Sequence, residues 1–299
     1  MRQVTPSKRS TKNWIFLGDS LTEGVGSERV SHVTELVKQL RIDRNGSEPP
    51  LVHHLRLRSI NSDSFDPFVQ FNVAGYMNVD RQEPNADALW IWNLACEGRT
   101  IETDFEWLPL IESIRPQLVV IFRGSLESII RPASLRDGSW PMWVPRSWRA
   151  YSSMDPRCYF STTSWRRLKQ TAVDSLKQRT RHSLLRSRPG KPLMDLDSFV
   201  DHYDRLVAQL IGLNTRVLML GLLPVGEQFP DSAPYFESVN RRLRDIAATH
   251  GAEFCDWASD VKANGYEELF YRDTFHPNAD GAKRLAQILQ PHLTNGVGE

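Results

Sequence analysis

Cysteine is scarce in this chain, with three among 299 residues. They lie far apart and form none of the closely spaced pairs that bind structural zinc. A small, odd number argues against a disulfide framework and is typical of proteins from a reducing compartment. We therefore expect a cytoplasmic protein with no metal site. The three cysteines are Cys96, Cys158 and Cys255.

Long apolar runs, glycine-rich phosphate loops and internal repeats are also missing. No run approaches the ~20 apolar residues of a membrane-spanning helix, and the polar, basic residues 1–13 do not resemble a secretory signal. Nothing indicates a nucleotide or another cofactor, and a net charge of +1 suggests no overall field. We expect a flexible leader over 1–13, one domain over 14–299, and no cofactor, nucleic-acid partner or membrane contact.

The most informative segment that is present follows the first apolar run. Residues 14–17 predict a buried strand, and the periodic apolar residues over 21–40 predict a helix. Ser20 lies at the junction, within a Gly-Asp-Ser-Leu motif at 18–21. This position suits a nucleophile, because glycine allows a sharp turn and a helix N-terminus offers free N–H groups to an oxyanion. A simple N-cap is the alternative for Ser20.

A second motif near the other end of the chain contains a candidate base. Asp273 precedes His276 by three residues in a predicted turn, before a predicted helix over 278–291. A nucleophilic serine needs a base, and the base needs a group that fixes its tautomer. A carboxylate three residues upstream can reach the imidazole Nδ1. The alternative is that both side chains only serve the start of the helix.

The two motifs in this order, with Pro277 after the histidine, resemble those of the SGNH, or GDSL, hydrolases. The family's second to fifth strands have counterparts at 87–98, 115–124, 217–224 and 253–256. The resemblance implies a flavodoxin-like three-layer α/β/α sandwich with a mostly parallel five-stranded sheet. Short apolar runs that alternate with amphipathic stretches predict the same covered sheet. Helices are predicted over 21–40, 196–213, 235–250 and 278–291.

The resemblance also implies a role for each site residue. Ser20 would be the nucleophile, His276 its base and Asp273 the orienting carboxylate. The oxyanion would be held by the backbone N–H groups of Ser20 and Ala95; the family has glycine at the latter position, and alanine keeps the N–H donor. Residues expected to contact the substrate are Asp19, Asn93, Gly124 and Leu126.

Leu126 departs from the family pattern. The family reads Gly-x-Asn-Asp here, and its asparagine donates to the oxyanion, whereas residues 124–127 read Gly-Ser-Leu-Glu. Leucine cannot donate, and loss of one such donor typically costs ~2.7–4 kcal/mol. Arg123 and Ser125 are the nearest substitutes, and Arg123 could instead bind a substrate carboxylate or phosphate. The alternative is that Arg123 pairs with Glu127 or another acid.

Two insertions interrupt the family pattern. The first covers about 41–87 and includes a candidate extra strand at 68–73. The second covers about 128–194 and is basic: residues 131–192 carry a net charge of +11, which leaves −10 for the rest of the chain. Insertions at this sheet edge commonly act as lids. The second insertion also holds Trp140, Trp143, Trp148 and Trp165.

Arginine and tryptophan together suit an anionic or glycan-like partner. Three partners fit: a phosphorylated small molecule, an acidic acyl carrier protein, or an acidic saccharide. The alternative is that the arginines neutralise the acidic remainder of the chain while the tryptophans form a small core.

The predicted function is that of a serine esterase or O-deacetylase acting on an acyl ester of a small molecule or saccharide. Two alternatives stay open. One is an acyltransferase that uses a donor such as a carrier-bound thioester. The other is a non-catalytic binding protein that kept the fold, which Leu126 and Ala95 favour. Retention of Ser20, Asp273 and His276 argues against a binding protein, since binding does not need all three.

Overall fold

Six parallel strands form the sheet in this computed structural model, which describes residues 12–24, 31–42, 52–56, 89–149, 163–225, 229–264, 268–271, 273 and 275–294. The spatial order of the strands is β2-β3-β1-β4-β5-β6. Their bounds are β1 Lys12–Gly18, β2 Val52–Arg56, β3 Leu89–Asn93, β4 Leu118–Phe122, β5 Arg216–Leu220 and β6 Glu253–Cys255.

The parallel sheet confirms the predicted α/β class, and it contains one strand more than predicted. The five predicted strands are β1 and β3 to β6, while β2 comes from the first insertion and extends one edge of the sheet. The strand predicted at 68–73 lies outside the described residues.

Ten α-helices and three short 3₁₀ segments complete the described part of the chain. The 3₁₀ segments span Ile101–Trp107, Arg146–Trp148 and Pro230–Ser232. The helices are α1 Ser20–Glu23, α2 His32–Ile42, α3 Leu108–Ile114, α4 Ser125–Ser128, α5 Ser134–Asp137, α6 Ser164–Ser187, α7 Leu196–Gly212, α8 Ala233–His250, α9 Trp257–Asn264 and α10 Ala279–Thr294.

The prediction of one continuous helix over 21–40 is wrong. Helix α1 ends at Glu23 because Gly24 adopts a left-handed conformation (φ 79°) and caps it by donating to the Ser20 carbonyl. Helix α2 begins separately at His32. The predictions over 196–213, 235–250 and 278–291 are confirmed by α7, α8 and α10, with ends that agree within three residues.

The sheet is covered on both faces, which explains why its strands are apolar throughout. All five residues of β4 are buried, as are residues 14–18 of β1. Helix α2 packs against α10, and α7 packs against α8. Because β1 lies in the middle of the sheet, the loop that follows it opens at the centre of the carboxyl edge, where ligands bind in such folds.

None of the helices in the described ranges is long and apolar enough to span a bilayer.

The second insertion contributes α5 and the long helix α6. Trp140 and Trp148 pack there against Val144 and Leu184, whereas Trp143 and Trp165 are 59% and 72% exposed.

Candidate active site

Ser20 lies at the first position of α1, directly after the central strand. The N-cap is Asp19, whose carboxylate accepts from the Leu21 N–H at 2.9 Å, so the N-cap alternative for Ser20 is wrong. A Cβ at position 18 would lie 2.1 Å from the Thr22 hydroxyl oxygen, and therefore only glycine fits at this turn. The side chain of Ser20 remains partly exposed at the carboxyl edge of the sheet.

His276 and Asp273 meet Ser20 across the edge of the sheet. His276 Nε2 lies 3.1 Å from Ser20 Oγ, and His276 Nδ1 lies 2.7 Å from Asp273 Oδ2. The other carboxylate oxygen of Asp273 accepts from the backbone N–H groups of Phe275 and His276, at 3.1 and 3.0 Å. With Nδ1–H donating to the carboxylate, Nε2 is left as the acceptor for the serine hydroxyl.

The turn that holds the histidine is fixed by the backbone. Phe270 and Pro277 form an isolated antiparallel bridge, and the Tyr271 N–H donates to the His276 carbonyl at 2.9 Å. The imidazole packs edge-to-face on Phe275, with ring centroids 5.0 Å apart. Asp273 is 2% exposed, so its carboxylate is sheltered behind the ring that it orients.

Ala95 does not present a free donor. Its N–H donates to Asn93 Oδ1 at 3.1 Å, and the Asn93 amide nitrogen in turn donates to the Thr22 carbonyl at 3.3 Å. Asn93 is 1% exposed and ties the loop after β3 to α1. The predicted oxyanion role of Ala95 would therefore require this hydrogen bond to be given up.

Arg123 is placed differently from the prediction. Its guanidinium is fully buried and forms a bidentate pair with Asp104, Nε to Oδ2 at 2.8 Å and Nη2 to Oδ1 at 2.6 Å. The remaining nitrogen, Nη1, donates to the Arg99 carbonyl at 2.9 Å. Burial lowers the pKa of Arg123, but the charge and hydrogen bonds of Asp104 and the charges of Asp19 and Glu127 together raise it by more, so the guanidinium stays charged. Arg123 thus serves neither as an oxyanion donor nor as an anion site, because a buried charge needs these partners.

Three of the four residues predicted to contact the substrate are buried. Asp19 and Asn93 are 3% and 1% exposed and bond to the backbone, so the structure does not support substrate contacts from either. Gly124 (φ 116°) is pressed against α7, where a Cβ would lie 2.7 Å from Phe199 Cζ. Leu126 alone is half-buried.

Ser125 stays a candidate for the missing donor. It is the first residue of α4, directly after Gly124, and it is 1% exposed. Cys96, beside the predicted oxyanion loop, is a poor nucleophile because burial raises the pKa of its thiol.

Glu127 and Asp104 are buried acids near Arg123 whose roles the sequence analysis missed. Glu127 Oε1 accepts from the Ile101 N–H at 2.7 Å, while Oε2 has no hydrogen-bond partner. Burial raises the pKa of Glu127 from 4.5 to about 7, although the charge of Arg123 opposes the shift. Together with Arg123, these groups tie the segment 99–104 to the end of β4.

Glu127 should make stability depend on pH. Between pH 4.5 and 7 the folded state holds a proton that the unfolded chain has released, so stability falls as pH rises through this window. The shift corresponds to about 3 kcal/mol. Glu127→Gln keeps an oxygen for Ile101 and removes the titration. We therefore expect the free energy of unfolding, measured with urea, to be lower above pH 7 than at pH 4.5, and to fall more for the native chain than for the variant. Parallel pH profiles for the two proteins would show that Glu127 does not carry this dependence.

A cavity of about 560 Å³ joins the segment after the β3 loop to the second insertion and α7. Thr100 and Glu102 line one side, Arg136 and Lys191 another, and His202 a third. Within the described residues, no group of histidine, cysteine or acidic side chains could hold a metal ion.

Comparisons with known proteins agree with the fold and with the order of the motifs. A family model described as the GDSL-like lipase/acylhydrolase family matches residues 16–284. The alignment with the solved structure of TesA covers 95% of this chain and 98% of the TesA chain, with 15% identity and a TM-score of 0.51. The acetylxylan esterase Axe2 from Geobacillus stearothermophilus covers 95% of both chains, with 13% identity and a TM-score of 0.53.

No curated protein sequence matches the chain. At such low identity the two solved structures bear on the fold, while the family match spans most of the chain. The chain therefore belongs to the GDSL-like lipase/acylhydrolase family, the SGNH hydrolases that its two terminal motifs resemble, and is an ester-hydrolysing serine hydrolase.

Proposed function

We propose that the chain hydrolyses an O-acyl ester of a small molecule or saccharide, with Ser20 as nucleophile, His276 as base and Asp273 as orienting carboxylate. The observation that carries the proposal is the unbroken series of contacts from Asp273 Oδ2 through the imidazole to Ser20 Oγ, at 2.7 and 3.1 Å. A non-catalytic binding protein has no use for this arrangement of a base between a hydroxyl and a buried carboxylate.

In the first half-reaction, His276 Nε2 takes the hydroxyl proton as Ser20 Oγ attacks the ester carbonyl carbon. The imidazolium that forms is stabilised by Asp273. It then returns the proton to the leaving alcohol oxygen as the carbon–oxygen bond of the ester breaks, which leaves an acyl group on Ser20. In the second half-reaction, water attacks the acyl carbon as the same histidine takes one of its protons. The imidazolium returns that proton to Ser20 Oγ as the bond between Oγ and the acyl carbon breaks, and the carboxylic acid leaves.

The oxyanion would be held first by the Ser20 N–H, which has no intrahelical partner at the first position of α1. The Ala95 N–H is a second donor only if it exchanges Asn93 Oδ1 for the substrate oxygen. We propose the Ser125 hydroxyl as the substitute for the side-chain amide that is missing at position 126, because it is the hydroxyl donor next to Leu126, at the start of α4.

An O-acetyl ester of a saccharide is the substrate class that we favour. It is the chemistry that the family resemblance makes most common, and the structurally similar Axe2 is an acetylxylan esterase. A small acyl group also needs the least from a site that lacks one of the family's oxyanion donors.

Labelling with a small fluorophosphonate tests the proposal at its first step. We expect intact-mass measurement to show one adduct on the native chain and none on Ser20→Ala, because only an activated serine attacks the phosphorus. Ser238→Ala is the matched control and should label fully, since the partly exposed Ser238 hydroxyl bonds only within its own helix, to the Pro234 carbonyl at 2.9 Å and from Arg241 at 3.3 Å.

Two results would overturn the assignment. Equal labelling of Ser20→Ala would place the nucleophile elsewhere. No adduct on a folded native chain would favour the binding-protein alternative.

A further inference from the structure

Helix α6 has its polar and apolar sides reversed relative to an ordinary surface helix. The side that packs on the rest of the protein presents Lys177, Thr180 and Arg181, which are all buried, with Leu184 as the only buried apolar residue. Arg181 is fully buried, lies 5.0 Å above the Phe229 ring and donates through Nη2 to the Ile130 carbonyl at 2.5 Å. The polar side of α6 is therefore committed to the fold.

Four apolar residues between the start and the middle of α6 face solvent. Trp165, Leu168 and Leu176 are 72%, 60% and 55% exposed, and Ala172 is exposed between them. Spacings of three and four residues place these four side chains, which we call the outer stripe, on one side of the helix. That side is turned from the buried side by about 120°, and the stripe runs for about 16 Å along the axis.

Exposed apolar side chains that line up in this way usually mark a contact surface, whereas single exposed ones need no explanation. The outer stripe does not contribute to the core, since none of its members packs in the two hydrophobic clusters of the described residues. Exposure of the outer stripe lowers the solubility of the protein and does not stabilise the helix. A ligand or surface that covers the stripe would remove this exposed apolar area from water.

The charges beside the outer stripe are basic. Lys169 lies on one flank of the stripe, Arg179 follows Leu176 at its C-terminal end, and Arg186 lies two turns beyond Arg179. All three are exposed. The helix carries seven basic residues and a single acid, Asp174. An apolar stripe bordered by basic side chains matches the boundary of an anionic bilayer, where apolar groups enter below the headgroups and lysine or arginine meets the phosphates.

We propose that α6 docks lengthwise on an anionic phospholipid surface through the outer stripe, with Lys169 and Arg179 on the headgroups. Tryptophan is the side chain most typical of this boundary, and Trp165 is the most exposed of the three large side chains in the stripe. An acidic protein would match the basic side chains alone, whereas an exposed tryptophan, an apolar stripe and basic side chains together are the combination typical of a bilayer boundary. This proposal departs from the sequence-based expectation of no membrane contact, and it is independent of the chemistry proposed for Ser20.

Sedimentation of the full chain with vesicles tests the proposal. We expect binding to vesicles of phosphatidylcholine mixed with phosphatidylglycerol and little binding to phosphatidylcholine alone. Leu168→Gln with Leu176→Gln should weaken the binding about tenfold or more, and so should Lys169→Glu with Arg179→Glu. Both variants change exposed side chains only, and matching thermal unfolding curves would confirm that the fold is kept.

Matched controls distinguish an effect of the outer stripe from the effect of changing any exposed apolar or charged side chain. Met142→Gln removes an apolar side chain that is 98% exposed outside α6, and Arg241→Glu with Lys283→Glu reverses two exposed charges elsewhere. Both should bind like the native chain. The proposal is overturned if the native chain does not sediment, if it binds neutral vesicles equally well, or if stripe and control variants behave alike. Binding to soluble polyglutamate but not to vesicles would overturn it in favour of an acidic protein partner.

Discussion

Ser20→Ala and His276→Ala are each expected to lower kcat for ester hydrolysis by up to about 10⁶-fold, and the double variant should lose no more than either one alone. The reason is that the hydroxyl and the imidazole act as a unit: Oγ is a weak nucleophile until Nε2, 3.1 Å away, accepts its proton. Steady-state rates on a p-nitrophenyl acetate series would measure the three losses. Multiplicative losses in the double variant would contradict the proposed roles.

Asp273→Asn should lower kcat about 10⁴-fold, because it favours the wrong tautomer of His276. The Oδ1 of Asp273 already accepts two backbone N–H groups, so an asparagine would place its oxygen there and turn its NH₂ toward His276 Nδ1. Nδ1 would then have to accept, and the proton would move to Nε2, where it blocks activation of Ser20. The fold would be kept, because both backbone donors retain an acceptor.

A second histidine–carboxylate pair in the chain provides the matched control. His250 Nε2 lies 2.8 Å from Asp204 Oδ1, between α8 and α7, and among the described residues no serine hydroxyl is seen to continue the series. His250→Ala and Asp204→Asn should therefore leave kcat unchanged. If they reduced it as much as the changes at 276 and 273, the losses would reflect general damage and not the proposed chemistry.

The features that were predictable from the sequence are those that depend on local spacing. Asp273 and His276 are three residues apart in a turn, so their contact follows from chain geometry alone. The apolar run at 14–17 and the Gly-Asp-Ser motif after it placed Ser20 at a strand end. The contact between the two halves, over 256 residues, could not be read from either half. It came from the order of motifs in a known family.

The errors arose where packing across the chain decides a residue's role. For Arg123 the sequence leaves both a site role and an ion pair open, and the structure shows the ion pair; its partner Asp104 lies in a 3₁₀ segment 19 residues upstream that has no distinct sequence signal. Ala95 was assigned from an alignment of motifs, while its N–H depends on the rotamer of Asn93. The break after Glu23 did have a signal, since Gly24 was available as a helix stop.

The largest expected effect on stability comes from the buried pair of Arg123 and Asp104. Arg123→Met should reduce the free energy of unfolding by about 3–5 kcal/mol, because it leaves the Asp104 carboxylate buried without its partner. Asp104→Leu should cost a similar amount by stranding the guanidinium. The double variant should recover much of the loss, since two apolar side chains need no partners. Urea unfolding of the four proteins gives the coupling energy directly.

The same pair should also connect stability to the site, because Arg123 Nη1 holds the Arg99 carbonyl in the segment after the β3 loop. The double variant replaces the buried charges but not that hydrogen bond, so it should regain stability while kcat stays reduced. Arg188→Met is the control for ion pairs in general: its contact with Asp137 is exposed and is expected to contribute about 0–1 kcal/mol. If Arg123→Met lowered the free energy of unfolding no more than Arg188→Met does, the buried pair would not be important for the stability of the fold. If the double variant recovered stability and kcat together, the Arg99 contact would have no part in shaping the site.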